Sequence, residues 1–231
     1  MKLSCLLLLA LCAWRGPLMA GSIDWGTAAF DALYNADGGP LDGTFRFELG
    51  TFAGDFTPSP SNTTAWASQW KGIEEATFNA PSQYAAENSI LTTSGPNLIW
   101  QRDAEGDESG PLSNPNVFAP GEAVYLWVYN SKNISSTAQW ALVTGRGATP
   151  NTDWVLNAGM GAALAPTVEW RLLYANTAIQ GGVNGVLGGG VVRASPGSFS
   201  LQTALLSPIP EPSISLLLAL GWTLGFRRSR R

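Results

Sequence analysis

The chain has 231 residues, 45% of them hydrophobic and only 13% charged, with ten tryptophans and a formal net charge of −4. It contains no histidine, and its two cysteines, Cys5 and Cys12, both lie near the start. Ser-His-Asp triads, Cys-His dyads and His-based zinc sites are therefore excluded, and the length fits one domain plus targeting segments.

Residues 1–20 read as a secretory signal peptide: a basic start at Lys2, an apolar run from Leu3 to Trp14, then Gly16, Pro17 and small Ala20 at the expected cleavage point. Its removal takes both cysteines, so the exported body, residues 21–206, has neither disulfides nor thiolate chemistry. Without the two ends, seven basic residues face sixteen acidic ones. That balance repels phosphate backbones and argues against a nucleic-acid partner.

Within the body, short strand signals alternate with Gly, Pro, Asn, Asp and Ser clusters. "NADGGPLDG" (Asn35 to Gly43) carries a turn signal at Asp37-Gly38. "TFRFEL" (Thr44 to Leu49) turns Phe45, Phe47 and Leu49 to one side and Arg46 and Glu48 to the other. In "NTTAWASQWKGIEEATF", Trp66, Trp70 and Ile73 fall at helical spacing with Asn62 or Thr63 as the cap, which predicts one short helix. "AVYLWVYN" (Ala123 to Asn130) is bulky and apolar on both faces and predicts a central strand, hairpinned to "QWALVTG". "VEWRLLY" places Val168, Trp170, Leu172 and Tyr174 inward. "GGVNGVLGGG" (Gly181 to Gly190) lacks the lysine of a phosphate loop and reads as turns between strands. "FSLQTAL" puts Phe199, Leu201, Thr203 and Leu205 on one face. These signals predict an all-β fold, an antiparallel β-sandwich or jelly-roll-like domain with one short helix.

Three features bear on chemistry. Asp103, Glu105 and Asp107 alternate as hard oxygen ligands do in a calcium loop, but Glu108 replaces the turn glycine and Asn114 stands where the bidentate glutamate belongs. A solvated acidic turn is the favoured reading, a structural calcium ion the alternative, and no other cofactor is expected. Tryptophans can stack on sugar rings, and Trp25, Trp66 and Trp70 are the candidates, whereas Trp127, Trp140 and Trp170 sit inside strand patterns as core. A glycosidase needs only two positioned carboxylates, for which Glu74, Glu75 and Glu169 come into view. Adjacent residues do not face each other on a helix, however, and Glu169 points outward on a strand. No catalytic residue is assigned, and a non-enzymatic role is favoured, with a carboxylate-based carbohydrate hydrolase as the alternative.

Residues 207–231 have their own order: Pro210-Glu211-Pro212, an apolar stretch from Ser213 to Phe226, then Arg227, Arg228, Arg230 and Arg231. As a helix, the stretch would span about 21 Å, short of the roughly 30 Å hydrocarbon layer. After export of the body, the arginines would stay cytoplasmic by the positive-inside rule. This tripartite ending resembles the sorting signal of PEP-CTERM proteins, bacterial exported cargo of a membrane-embedded processing enzyme, the exosortase. The resemblance implies that Pro210, Glu211 and Pro212 are the recognised motif and that the transmembrane helix is a temporary anchor. It also implies signal peptidase and exosortase as partners, and a final place in the envelope or extracellular matrix of a polysaccharide-producing, biofilm-forming Gram-negative bacterium. "FELGTFAGDFTPSPSNTTAWASQW", "AVYLWVYN" and "WALVTG" look like a recurrent ectodomain of such cargo. The resemblance assigns no catalytic residues to the body. It leaves a structural or glycan-binding role, with extracellular polysaccharide as the further partner.

Overall fold

A computed structural model describes residues 20–28, 31–94, 97–101, 117–157, 160, 167–188 and 200–206. The signal segment up to residue 19, the acidic run with Asp103, Glu105 and Asp107, and the whole ending from residue 207 lie outside the described residues. The strands, in chain order, are β1 (Ala20–Gly26), β2 (Ala32–Tyr34), β3 (Arg46–Phe52), β4 (Trp70–Ala76), β5 (Ala86–Ser94), β6 (Asn97–Gln101) and β7 (Val117–Phe118). They continue with β8 (Tyr125–Tyr129), β9 (Gln139–Thr144), β10 (Val168–Arg171), β11 (Thr177–Gln180), β12 (Gly182–Val183), β13 (Val186–Leu187), β14 (Ser200–Gln202) and β15 (Ala204–Leu205). Among the described residues the one α-helical turn, α1 (Trp66–Gln69), follows a 3-10 turn over Thr63–Ala65. The described body is thus all-β with one short helix.

Three sheets form. One runs β10-β1-β5-β6-β7, a second β11-β9-β8-β3-β4 with β15 added on β9, and a third β13-β12-β14-β2. Most pairs are antiparallel, as the sequence predicts, and β1 with β10 and β2 with β14 are parallel. Both parallel partners are far apart in sequence, and only such long connections can bring strands together in the same direction.

The expected central strand, β8, lies in the middle of the six-stranded sheet between β3 and β9, with all five residues buried. Leu126 and Val128 join Phe47, Leu49, Ala141 and Val143 in a core that also takes Ile23, Trp25, Val168 and Trp170 from the five-stranded sheet. Tyr125, Trp127 and Tyr129 face the other way into a second, aromatic cluster. The β8–β9 hairpin forms as expected. Asn130 secures its mouth, accepting from the Gln139 N–H at 2.9 Å and donating to the Thr137 carbonyl at 3.0 Å.

The glycine-rich stretch makes the β12–β13 hairpin. Asn184 (φ 48°) and Gly185 (φ 79°) occupy its two positive-φ positions, the Asn-Gly pattern of a tight hairpin turn. The Asn35–Gly39 turn also forms, with the Asn35 side-chain oxygen accepting from the N–H groups of Asp37 and Gly39.

Elsewhere the structure redirects the sequence signals. Helical spacing placed Trp66, Trp70 and Ile73 on one helix, but α1 ends at Gln69 and Trp70 opens β4. Pairing with β3 extends the chain there, so tertiary hydrogen bonds override a local period. Between the Leu49–Glu74 and Gly50–Gly72 pairs the register shifts at a β-bulge, leaving Ile73 as the extra residue. β10 ends at Arg171 in a 3-10 turn over Leu172–Tyr174, so Leu172 is buried while Tyr174 leaves the inward row. The 200–205 segment is two strands in different sheets, and the change of sheet at Thr203 turns Leu205 out to solvent.

Candidate functional site

The outward face of the six-stranded sheet concentrates the aromatic residues. Trp127 is its centre, with ring centroids 4.9 Å from Trp140, 5.1 Å from Tyr129, 5.2 Å from Trp70 and 6.1 Å from Trp66. Three of these contacts are edge-to-face, the arrangement favoured by the ring quadrupole. Phe52, Phe56 and Tyr125 extend the cluster toward the far end of β3 and β8. The face is covered by the 63–69 helical segment, through Trp66, and by Leu206 after β15.

A groove of about 600 Å³ opens beside Trp70 and β4 and carries Glu48, Glu74, Glu75 and Lys132 along its walls. Glu48 on β3 stands directly opposite Glu75 on β4 and opposite Trp127 on β8. Like charges facing across strands destabilise a sheet unless compensated. Here two cations compensate: Lys132 Nζ lies 2.5 Å from Glu48 Oε2, and Arg46 Nε lies 3.4 Å from Glu75 Oε1. The Lys132 ammonium also sits over the rings of Trp127 and Tyr129, at 5.3 and 5.1 Å. The Tyr129 hydroxyl donates to Glu48 Oε2 at 3.0 Å. Burial, then the neighbouring Glu48 charge, pushes the Tyr129 phenol above the usual tyrosine range, so it remains a donor at any physiological pH. Gly72 makes room for this arrangement, since a Cβ there would lie 2.4 Å from Glu48 Oε1.

Glu74 is oriented differently. It accepts from the Ser89 hydroxyl at 3.0 Å, and Ser89 in turn accepts from the Trp25 indole N–H at 2.8 Å. Glu74 and Glu75 are therefore separated by the strand alternation of β4, and Glu169 is exposed on β10 in the other large sheet. The groove is lined by carboxylates and an ammonium already engaged with one another, with Trp70 at its border. A second depression lies at the opposite end of β3 and β8, bounded by the 53–57 turn and the 119–123 loop. Its wall is fixed by Glu122, which pairs with Lys71 at 2.8 and 2.9 Å and accepts from the Thr51 hydroxyl and the Ala119 N–H.

The three tryptophans proposed for sugar stacking separate in the structure. Trp25 and Trp66 are both 0% exposed, which corrects that expectation, because neither has a ring face to offer. Their N–H groups are also spent internally, Trp25 on Ser89 and Trp66 on the Asn62 side-chain oxygen at 2.9 Å. Asn62 accepts from the Ser59 N–H and donates to the Thr57 carbonyl as well, so it staples the segment together and makes no side-chain cap on the helix. Trp70 alone of the three is half-buried and borders the groove. Among the described residues, no group of three or more Asp, Glu, His or Cys residues is placed to hold a metal ion. The sequence drew no attention to Glu48 or Lys132. The alternation on β3 marked Glu48 as outward, but its pairing with Glu75 depends on register, which no single strand reveals. Compared with protein-family models, with curated proteins and with solved structures, the chain finds no match.

Proposed function

We propose that this chain is an exported protein that an exosortase processes at the inner membrane, and that its body then has a structural or glycan-binding role in the envelope or extracellular matrix. The observation that carries the proposal is the order of the ending: Pro210-Glu211-Pro212, the short apolar stretch, then Arg227, Arg228, Arg230 and Arg231, in a chain that opens with a signal-like segment. We further propose that the body is a β-sandwich. The supporting feature is one core cluster to which both large sheets contribute, with Phe47, Leu49 and Leu126 on one side and Ile23, Trp25 and Trp170 on the other. A histidine-free and cysteine-free exported body, with its principal carboxylates engaged by cations, suits binding or scaffolding better than nucleophilic chemistry. Mass spectrometry of the mature protein from hosts with and without the exosortase tests the sorting claim. Loss of the residues after Pro212 only when the enzyme is present supports it, and an intact Arg231 in both hosts sinks it.

One observation favours the hydrolase alternative. Glu48 and Glu75 face each other on neighbouring strands along an open groove, as the two carboxylates of a glycosidase flank their substrate. Activity on aryl glycosides that disappears in both Glu48→Gln and Glu75→Gln would establish that reading. Without it, the pair is a charge-compensated structural contact.

A further inference from the structure

The geometry points to the depression between the 53–57 turn and the 119–123 loop as a subsite for a neutral sugar ring, which gives the glycan-binding reading, on which it rests, a definite place. The depression measures about 710 Å³, within the roughly 300–1,000 Å³ usual for small-ligand sites. Phe52 and Tyr125 are buried at its base, and Phe56 stands half-buried against Phe52, ring centroids 5.2 Å apart. The exposed part of Phe56 is an apolar aromatic surface, of the kind that packs against the C–H face of a pyranose.

The polar groups around it are uncommitted. Among the described residues, the Asp55 carboxylate and the Thr57 and Tyr125 hydroxyls make no hydrogen bond, although all three border the depression. Burial keeps the Tyr125 phenol protonated, and Asp55 and Thr57 are exposed on the turn. One charged acceptor and two hydroxyls beside an aromatic face are the complement of a sugar's vicinal hydroxyls. The backbone leaves room as well. Gly54 (φ +56°) and Gly121 (φ +97°), one in each bounding segment, would each project a Cβ into open space.

The charges disfavour an anionic ligand. Glu122 is already neutralised by Lys71, so among the described residues Asp55 is the uncompensated carboxylate on the rim, and it repels a uronate. The carboxylate groove beside Trp70 differs, because its Glu48, Glu75 and Lys132 are already engaged with one another and with Arg46.

The test is calorimetric titration of the full-length chain in detergent micelles with hexamers of glucose, galactose and mannose, alongside a hexuronate hexamer. At least one neutral hexamer should bind, and the hexuronate should not. Asp55→Asn and Phe56→Ala should each weaken that binding by about tenfold or more. Asp55 is exposed and its substitution disturbs no packing, so a folding defect in Phe56→Ala leaves the result readable. Binding of a neutral hexamer unchanged in Asp55→Asn and Phe56→Ala overturns this subsite and leaves the glycan reading intact. Binding of the hexuronate hexamer alone overturns the selectivity argued for the subsite. If no hexamer binds the unaltered chain, the subsite and the glycan reading fall together.

Discussion

On the inward face of the six-stranded sheet, Phe47, Leu49, Leu126, Val128, Ala141 and Val143 pack with residues of the five-stranded sheet. On its outward face Trp66, Trp127, Trp140, Tyr125 and Tyr129 pack largely with one another. The tryptophans show how the two sides differ. Those of the inward core all spend their indole N–H: Trp25 on Ser89, Trp154 on the Asn151 carbonyl at 3.1 Å and Trp170 on the Pro150 carbonyl at 3.0 Å. In the outward cluster Trp66 and Trp140 do the same, but the buried N–H groups of Trp127 and Trp70 have no partner among the described residues. Both depressions border that outward cluster.

The comparison breaks most readily at Trp66. It is fully buried, stacks on Trp140 at 5.4 Å and holds the 63–69 segment down on the sheet. Trp66→Ala should cost about 3–5 kcal/mol, the range for removing a large buried aromatic. Chemical denaturation of the full chain checks it. The loss should be specific to the outward side, with amide exchange quickening first along the 63–69 segment. Uniform quickening across β1 and β5 would mean that the two faces do not behave separately.

Asp31 tests whether the other side is as well satisfied as its tryptophans imply. It is buried, with one carboxylate oxygen accepting from the Ala28 N–H at 2.8 Å and the other without a partner among the described residues. Burial raises its pKa to about 6, against the opposing effects of the Ala28 hydrogen bond and the Arg171 charge. The folded state thus holds the proton more tightly than the unfolded chain. Its stabilising effect is complete below the unfolded value, near 3.8, and is lost as pH rises through about 6. Asp31→Asn should therefore stabilise the protein above pH 7 by on the order of 1–3 kcal/mol and change little near pH 4. Denaturation midpoints at the two pH values measure it, and an equal effect at both would exclude titration as the cause.

Replacing each of two tryptophans by phenylalanine sharpens the contrast. Trp170→Phe strands the Pro150 carbonyl and leaves a small void, so it should cost about 1–3 kcal/mol. Trp127→Phe leaves a similar void but removes a buried donor that had no partner, so its cost should be smaller by about 1 kcal/mol or more. Equal losses in equilibrium unfolding would mean that the Trp127 N–H has a partner in solution.

The sequence made some of this architecture readable and concealed the rest for identifiable reasons. β3 and β8 were legible because their own residues carry the period: Phe45, Phe47 and Leu49 alternate with Arg46 and Glu48, and "YLWVY" is bulky on both faces. The β12–β13 hairpin was legible because Asn184-Gly185 is a turn by local chemistry alone. Trp70 was misplaced because a helical period over so few residues is matched by chance, and pairing with β3 decides the conformation. The burial of Trp25 and Trp66 was hidden for a related reason. Polar neighbours make both look exposed, while Ser89 and Asn62, which satisfy their N–H groups, lie outside any strand alternation that includes them. The 53–57 depression had no sequence signal at all, since Asp55, Thr57 and Tyr125 meet only when the ends of β3 and β8 converge.

The smallest expected effect concerns Lys132, where the outward face meets solvent. Its ammonium pairs with Glu48, offsets the Glu48–Glu75 confrontation and lies over Trp127 and Tyr129. About a third of the Lys132 side chain is exposed, at 34%, so water and salt screen much of the attraction. Lys132→Gln should cost about 1 kcal/mol or less in low salt, and the difference should shrink as ionic strength rises past the point where the Debye length falls to about 8 Å. A reversed-charge Lys132→Glu, which adds a third carboxylate beside Glu48 and Glu75, should cost more than Lys132→Gln. Adding Glu48→Gln should recover most of that loss. Denaturation midpoints across a salt series read both effects. If Lys132→Gln and Lys132→Glu cost the same at every salt concentration, the lysine contributes through its aliphatic stem and ring contacts, and the carboxylate pair on this face needs no cation to hold it.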